Sequence, residues 1–169
     1  MVKIGLLSDT HSWLDPQLFD YFKEVDEIWH AGDIGSIEIL DTLKKFKPLR
    51  AVYGNIDGSE FRKELKLDSF FTIENMHVWM THIGGYPGRY VGRVKNILQS
   101  TRPHLFVCGH SHICKVVRDK KRSMLCLNPG AAGIHGFHKV RTALRFEIEG
   151  NSCKNMEVIE LGLRGKIDT

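Results

Sequence analysis

The first 55 residues alternate short apolar runs with amphipathic segments, and that alternation leaves few folds open. "VKIGLL" (2–7) is a compact apolar run that breaks into polar "SDTHS", the pattern of a buried strand leaving into a loop. "PQLFDYFKEV" (16–25) opens with a proline suited to a first helical turn and carries apolar residues at helical spacing, which predicts a helix. "DEIWHAGD" (26–33) reads as a second strand, "SIEILDTLKKF" (36–46) as a second amphipathic helix and "PLRAVYGN" (48–55) as a third strand. Strand, helix, strand, helix, strand implies right-handed crossovers and a parallel sheet.

The second half changes character. "SFFTIEN" (69–75) and "MHVWMTH" (76–82) are strand-like runs that meet at Asn75, a hairpin turn. "RYVGRVKNILQSTR" (89–102) predicts a helix with Val91, Val94, Ile97 and Leu98 on one face. "PHLFVCGH" (103–110), "ICKVVRD" (113–119), "SMLCLNPG" (123–130) and "VRTALRFEIEG" (140–150) read as strands, and "KNMEVIEL" (154–161) closes the chain. The charged "DKKRS" between two of them is a turn. A parallel first half and a hairpin-rich second half predict two packed sheets with helices outside. With no repeat, linker or low-complexity segment, one domain is expected over residues 1–169.

A chain of 169 residues can bury roughly two-thirds of the surface it exposes unfolded, so it needs no disulfide or structural metal merely to fold. Twenty-four basic against 20 acidic residues is too mild an excess to indicate a nucleic-acid partner. "MVKIGLLSDTHS" meets an aspartate too soon for a signal-peptide core or a membrane span, so no membrane association and a cytoplasmic location are expected. Cys108, Cys114, Cys126 and Cys153 form no CxxC pair and read as small buried hydrophobes. Nine histidines cluster after glycines and at the ends of apolar runs, and that placement points to chemistry.

Each strand of the first half ends in a metal-type ligand: Asp9 and His11 after the first, Asp33 after the second, Asn55 after the third. In open α/β sheets, ligands bind outside the carboxyl ends of the strands, so these residues should converge on one crevice. His82 ends a later strand, and His110 with His112 ends another. Seven such donors suffice for two divalent ions about 3.5–4 Å apart if one carboxylate bridges them. Singly, each has a plainer reading: Asp9 as a helix cap, Gly32-Asp33 and Gly54-Asn55 as turn dipeptides, His82 as a half-buried histidine. Turn chemistry, however, does not require a histidine at four of the seven positions. His30, two residues before its glycine, reads as structural.

The ordered series "SDTH", "HAGD", "YGNID", "MTH" and "CGHSH" resembles the calcineurin-like metallophosphoesterase superfamily, whose pattern is DxH, GD, GN, H and GHxH. Chain length and "LNPGAAG" are similar to its small YfcE-like phosphodiesterase subgroup. The resemblance implies a four-layer αββα sandwich. It implies one metal held by Asp9, His11, Asp33 and His112, and a second held by Asp33, Asn55, His82 and His110, with Asp33 bridging. Manganese is the expected first choice, with iron, zinc or nickel as alternatives, because mixed imidazole and carboxylate ligation does not select among them. By the same resemblance Asp33, Asn55, His82 and Asp57 are counted as catalytic, Asp57 by orienting its neighbours.

Two divalent ions with Asp9, Asp33 and a bridging hydroxide leave a formal charge of about +1, which attracts a phosphate ester. The expected reaction is attack of that hydroxide on a small phosphodiester, with no protein nucleophile. Where larger members carry a histidine after the Gly-Asn, and many small ones a cysteine, this chain has Ile56, and the family's "HGH" is replaced by "HIGGYPGRY". A leaving-group acid is thereby missing, so good leaving groups should be favoured unless His135 or His138 reaches the crevice. Arg89 and Arg93 are candidates to clamp phosphate, against a solvated helix face. Asn128-Pro129-Gly130 should shape the turn beside the histidine loop. The competing expectations are a protein-binding scaffold of the same fold with weak or no activity, and a nuclease or nucleotide phosphatase of the superfamily. The sequence is compatible with a homo-oligomer.

Overall fold

In the computed structural model, which describes residues 1–165, the strands form two five-stranded sheets. Residues 166–169 of the expected single domain lie outside the described residues. Strands β1 (Val2–Leu7), β2 (Glu27–His30) and β3 (Leu49–Ala51) pair in parallel, joined through helices α1 (Gln17–Tyr21) and α2 (Ile37–Phe46). The chain continues through α3 (Ser59–Glu64), the hairpin of β4 (Asp68–Ile73) and β5 (Met76–Thr81), and α4 (Gly92–Ile97). It ends with β6 (Leu105–Val107), β7 (Cys114–Asp119), β8 (Met124–Pro129), β9 (Val140–Glu149) and β10 (Ser152–Leu163).

The first sheet has the order β10-β9-β1-β2-β3 and the second β4-β5-β6-β8-β7. The division does not follow the halves of the chain. The final hairpin returns to the first sheet, where β9 runs antiparallel to β1, and the second sheet contains a parallel core of β5, β6 and β8.

Period-two alternation assigns the faces of β1. Ile4 and Leu6 point between the sheets and pack with Trp29, Val78, Met80, Val107, Leu127 and Phe146. Leu7 faces outward, under a cover formed by Leu18 of α1, Leu40 and Leu43 of α2 and Phe61 of α3. On the far side, Val94 of α4 and the adjoining Leu98 close over Trp79, Phe106 and Cys126. Helix, sheet, sheet, helix is the four-layer αββα sandwich expected from the sequence.

Element lengths differ from expectation where tertiary contacts override local pattern. The helix expected over 16–25 stops at Tyr21, yet Phe22 and Val25 stay buried because the following turn keeps them against the sheet. The helix expected over 89–102 is confined to Gly92–Ile97. Tyr90 is instead drawn out of it, its hydroxyl donating to Asp119 Oδ2 at 2.8 Å. Helix α3 was not anticipated, since six residues with a single buried apolar side chain, Phe61, show no period.

One buried ion pair ties α1 to the final hairpin. Arg141 on β9 pairs with Asp15 just before α1, both side chains being almost fully buried. Arg141 also donates to the Leu161 carbonyl at 2.8 Å, and Asp15 accepts the Gln17 N–H at 2.9 Å. Removing one partner of such a pair leaves the other charge stranded. Arg141→Met is therefore expected to lower unfolding free energy by about 3–5 kcal/mol in a urea titration; a loss below about 1 kcal/mol would contradict this account.

Candidate metal centre

The loops that leave β1, β2, β3, β5 and β6 meet at one edge of the sandwich. Asp9, His11, Asp33, Asn55, His82, His110 and His112 all stand on these loops. Five of them, Asp9, His11, Asp33, His110 and His112, have φ between 45° and 69°. That left-handed conformation costs a non-glycine residue about 1 kcal/mol or more and persists only where surroundings enforce it. Here backbone hydrogen bonds enforce it: Asp9 N–H to Gly32 O at 2.9 Å, His11 N–H to Asp33 O at 3.0 Å and Gly109 N–H to His82 O at 2.9 Å. The reversal of chain direction brings His110 and His112 to the same crevice, although they are only two residues apart.

The two aspartates are each split between protein and cleft. Asp9 Oδ2 accepts the Ser8 hydroxyl at 2.6 Å and the His110 N–H at 3.1 Å. Asp9 Oδ1 faces His112 Nε2 at 3.2 Å and His11 Nε2 at 3.7 Å. Asp33 Oδ1 accepts the Ile56 N–H at 3.1 Å, whereas Oδ2 lies 3.2 Å from His82 Nε2 and 3.5 Å from His11 Nε2. Backbone comes so close to Asp33 that a Cβ at Gly54 would overlap its Oδ1. His110 Nδ1 and Asn55 Oδ1 are 3.1 Å apart. Two donor groups result, Asp9 with His11 and His112, and Asp33 with His82 and His110.

The tautomer of His82 is set by its surroundings. Its Nδ1 lies 2.7 Å from the Ala31 carbonyl, which can only accept, so Nδ1 carries the proton and Nε2 presents a lone pair. Among the described residues, Asp9 Oδ1, His11 Nε2 and His82 Nε2 are buried with no hydrogen-bond partner. Each such group costs about 1–3 kcal/mol when unsatisfied. One carboxylate oxygen and two imidazole nitrogens, all hard-to-borderline donors aimed into one crevice, fit a divalent cation.

Burial opposes ionisation of Asp9 and Asp33, but the imidazoles that crowd their oxygens, with Ser8 beside Asp9 and the Ile56 N–H on Asp33, outweigh it and hold both carboxyls below the ordinary range. Burial also works against charging His82, yet Asp33 and Asp9 override it and raise its pKa. His30 behaves oppositely. Its complete burial pushes its pKa down to about 4, while Gly32 N–H donates to its Nδ1 at 3.1 Å and Thr10 lies 3.0 Å from its Nε2. It is a structural histidine away from the cleft, as expected.

Other expected residues divide between wall and support. Asp57 is buried behind the cleft, accepting the N–H groups of Ile34 at 3.1 Å, Gly35 at 2.9 Å and Gly54 at 2.8 Å. It ties the Asp33 loop to the Asn55 loop. Arg93 is engaged with Asp68 and Thr81, both at 2.7 Å, and neither it nor Arg89 lines the crevice. Asn128 donates to the Gly109 carbonyl at 2.9 Å and bridges to Ser111, shaping the histidine loop. His135 and His138 both line the crevice, beside Ile56. Two supports escaped sequence reasoning, Ser8 beside Asp9 and the contact of His138 with His112. Adjacency to the first aspartate could have flagged Ser8; nothing local could have flagged the second.

The model of the calcineurin-like phosphoesterase superfamily domain matches residues 2–151. The chain belongs to that superfamily. A probable metallophosphoesterase of Methanothermobacter thermautotrophicus is 32% identical over 133 residues, covering 76% of each chain. Among solved structures, an archaeal phosphodiesterase superposes with a TM-score of 0.71 at 21% identity, over 94% of this chain and 99% of its own. Vps29 of Entamoeba histolytica, solved with zinc, superposes with a TM-score of 0.70 at 19% identity, over 95% and 99%. At those identities the two structures show a shared fold. The superfamily is metal-dependent, and the crevice supplies two candidate groups of metal-ligand donors. Among the described residues no helix is long and apolar enough to cross a membrane.

The pKa directions set the pH dependence of metal uptake. In the metal-free protein the raised pKa of His82 contributes stability that is full below its unfolded value of about 6.5 and lost as pH rises through the folded one. A cation competes with that proton. The increase in melting temperature on adding Mn2+ is therefore expected to be larger at pH 8 than at pH 6; an equal or larger increase at pH 6 would contradict it.

Proposed function

We propose that this superfamily member is a dinuclear metal-dependent phosphoesterase that hydrolyses small phosphodiesters. The observation that carries the proposal is the set of buried, unpartnered atoms Asp9 Oδ1, His11 Nε2 and His82 Nε2. Asp9, His11, Asp33 and His112 would hold one ion, and Asp33, Asn55, His82 and His110 the other, with Asp33 common to both. Manganese is the first ion to test, and iron, zinc or nickel suit the same donors. When bound, two divalent ions supply an acidified water as nucleophile and positive charge that polarises the phosphoryl oxygens.

The chain's own residues prepare that site. Ser8 and the His110 N–H occupy Asp9 Oδ2, so only Oδ1 is presented, and the Ile56 N–H does the same for Asp33. The Ala31 carbonyl holds His82 with its Nε2 lone pair inward. Asp57, with backbone N–H donors on both oxygens, acts by holding two ligand loops in register. His135 is exposed in the crevice, its ring centroid 5.2 Å from that of His11, and would protonate the leaving oxygen that a residue at the Ile56 position would otherwise serve. Residues 1–169 would form a single catalytic domain, with a small phosphate ester as its partner.

A protein-binding scaffold is the competing reading, supported by the likeness to Vps29. The complete donor set favours the enzyme. Hydrolysis of an activated phosphodiester and an activated monoester, with and without chelator, separates the two. Activity is expected to vanish with chelator, to return with Mn2+ and to fall more than about 100-fold in Asp33→Asn. Chelator-resistant activity would contradict the metal mechanism, and Mn2+ uptake without hydrolysis would support the scaffold. His135→Ala should slow a diester with an alkoxide leaving group about 100-fold more than one with nitrophenolate; equal effects would remove His135 from the reaction.

A further inference from the structure

The connection from β8 to β9 crosses the crevice, and its two histidines stand in different relations to it. His138 Nε2 lies 2.8 Å from the Gly133 carbonyl oxygen. A carbonyl only accepts, so that nitrogen carries a proton. His138 Nδ1 lies 3.1 Å from Nδ1 of His112, with the rings edge to face at 5.1 Å. Two ring nitrogens at that separation share one proton. With Nε2 of a neutral His138 already protonated, the shared proton belongs to His112. The remaining nitrogen of His112, Nε2, then presents a lone pair beside Asp9 Oδ1, 3.2 Å away.

The loop is built around this contact. Gly136 has φ of +132°, a conformation that side chains rarely adopt, and a Cβ there would overlap Nδ1 of His112 and crowd Nδ1 of His138. Backbone thus passes directly over the pair of nitrogens, where water would otherwise compete for the proton. His138 is not a ligand in this arrangement, because both its nitrogens are used.

We propose that His138 is a positioning residue that fixes His112 as the Nδ1–H tautomer and aims its Nε2 at the metal held with Asp9 and His11. The inference rests on the metal reading above and adds to it a relay that starts at a backbone carbonyl. Hydrogen bonds of this kind orient ligating histidines and, when removed, cost about 10–100-fold in metal affinity.

Long-range proton–nitrogen NMR of the metal-free protein reads the tautomers directly, and calorimetry with Mn2+ reads the affinities. In the wild type, Nδ1–H is expected at His112 and Nε2–H at His138. His138→Gln, whose amide can accept from His112 and donate to Gly133, should keep the His112 tautomer and both affinities within about threefold. His138→Leu should allow Nε2–H at His112 and weaken one of two Mn2+ sites about 10–100-fold while sparing the other. The inference is overturned if wild-type His112 is the Nε2–H form, or if His138→Leu changes neither tautomer nor affinity. A wild type with the expected tautomers that takes up no Mn2+ would contradict the metal reading instead, and the two failures are told apart by the spectrum.

Discussion

The buried carboxylate of Asp9 is the point on which the rest of the site depends. One oxygen is committed to Ser8 and to the backbone of His110, and the other has no hydrogen-bond partner among the described residues and faces a crevice of imidazoles. The first commitment links the first sheet to the second, because Ser8 and Asp9 follow β1 while His110 follows β6. The second creates a demand that the protein itself does not meet. An unpartnered buried carboxylate oxygen is costly, and a cation satisfies it together with the facing histidines.

Left-handed backbone is the means by which short loops meet that geometry. A strand that continued past Leu7 or Val107 would send alternate side chains to opposite faces. Turning the chain at Asp9, His11, His110 and His112 keeps all four in one space. The strain is supported by inter-loop hydrogen bonds and by Asp57, whose three backbone contacts cross between the Asp33 and Asn55 loops. Rigid loops around an unmet charge are what a preorganised ion site requires.

Much of this was legible in the sequence for a physical reason. Parallel strands joined by helices put their carboxyl ends at one edge, so "SDTH", "HAGD" and "YGNID" had to lie together once the alternation was read. His82 and His110 also read as strand ends, but the parallel pairing of β5 and β6 that aligns them was not legible in a half that reads as hairpin-rich. Illegible were features created by contacts distant in sequence. The return of β9 and β10 to the first sheet depends on pairing with β1, and Tyr90 leaves its helical pattern for Asp119. His138 meets His112 across 26 residues, through a loop in which Gly136 passes over both rings where a Cβ would not fit. Arg93 read as a candidate clamp because its charge was visible and its partner Asp68 was not.

The proposed function requires that the crevice hold two metal ions with Asp33 common to both. Anomalous diffraction from crystals grown with saturating Mn2+ tests it most directly. Two peaks are expected about 3.5–4 Å apart, one against Asp9, His11 and His112, the other against Asn55, His82 and His110, with Asp33 touching both. A crevice with no anomalous peak, or with Mn2+ bound only elsewhere on the surface, would contradict it.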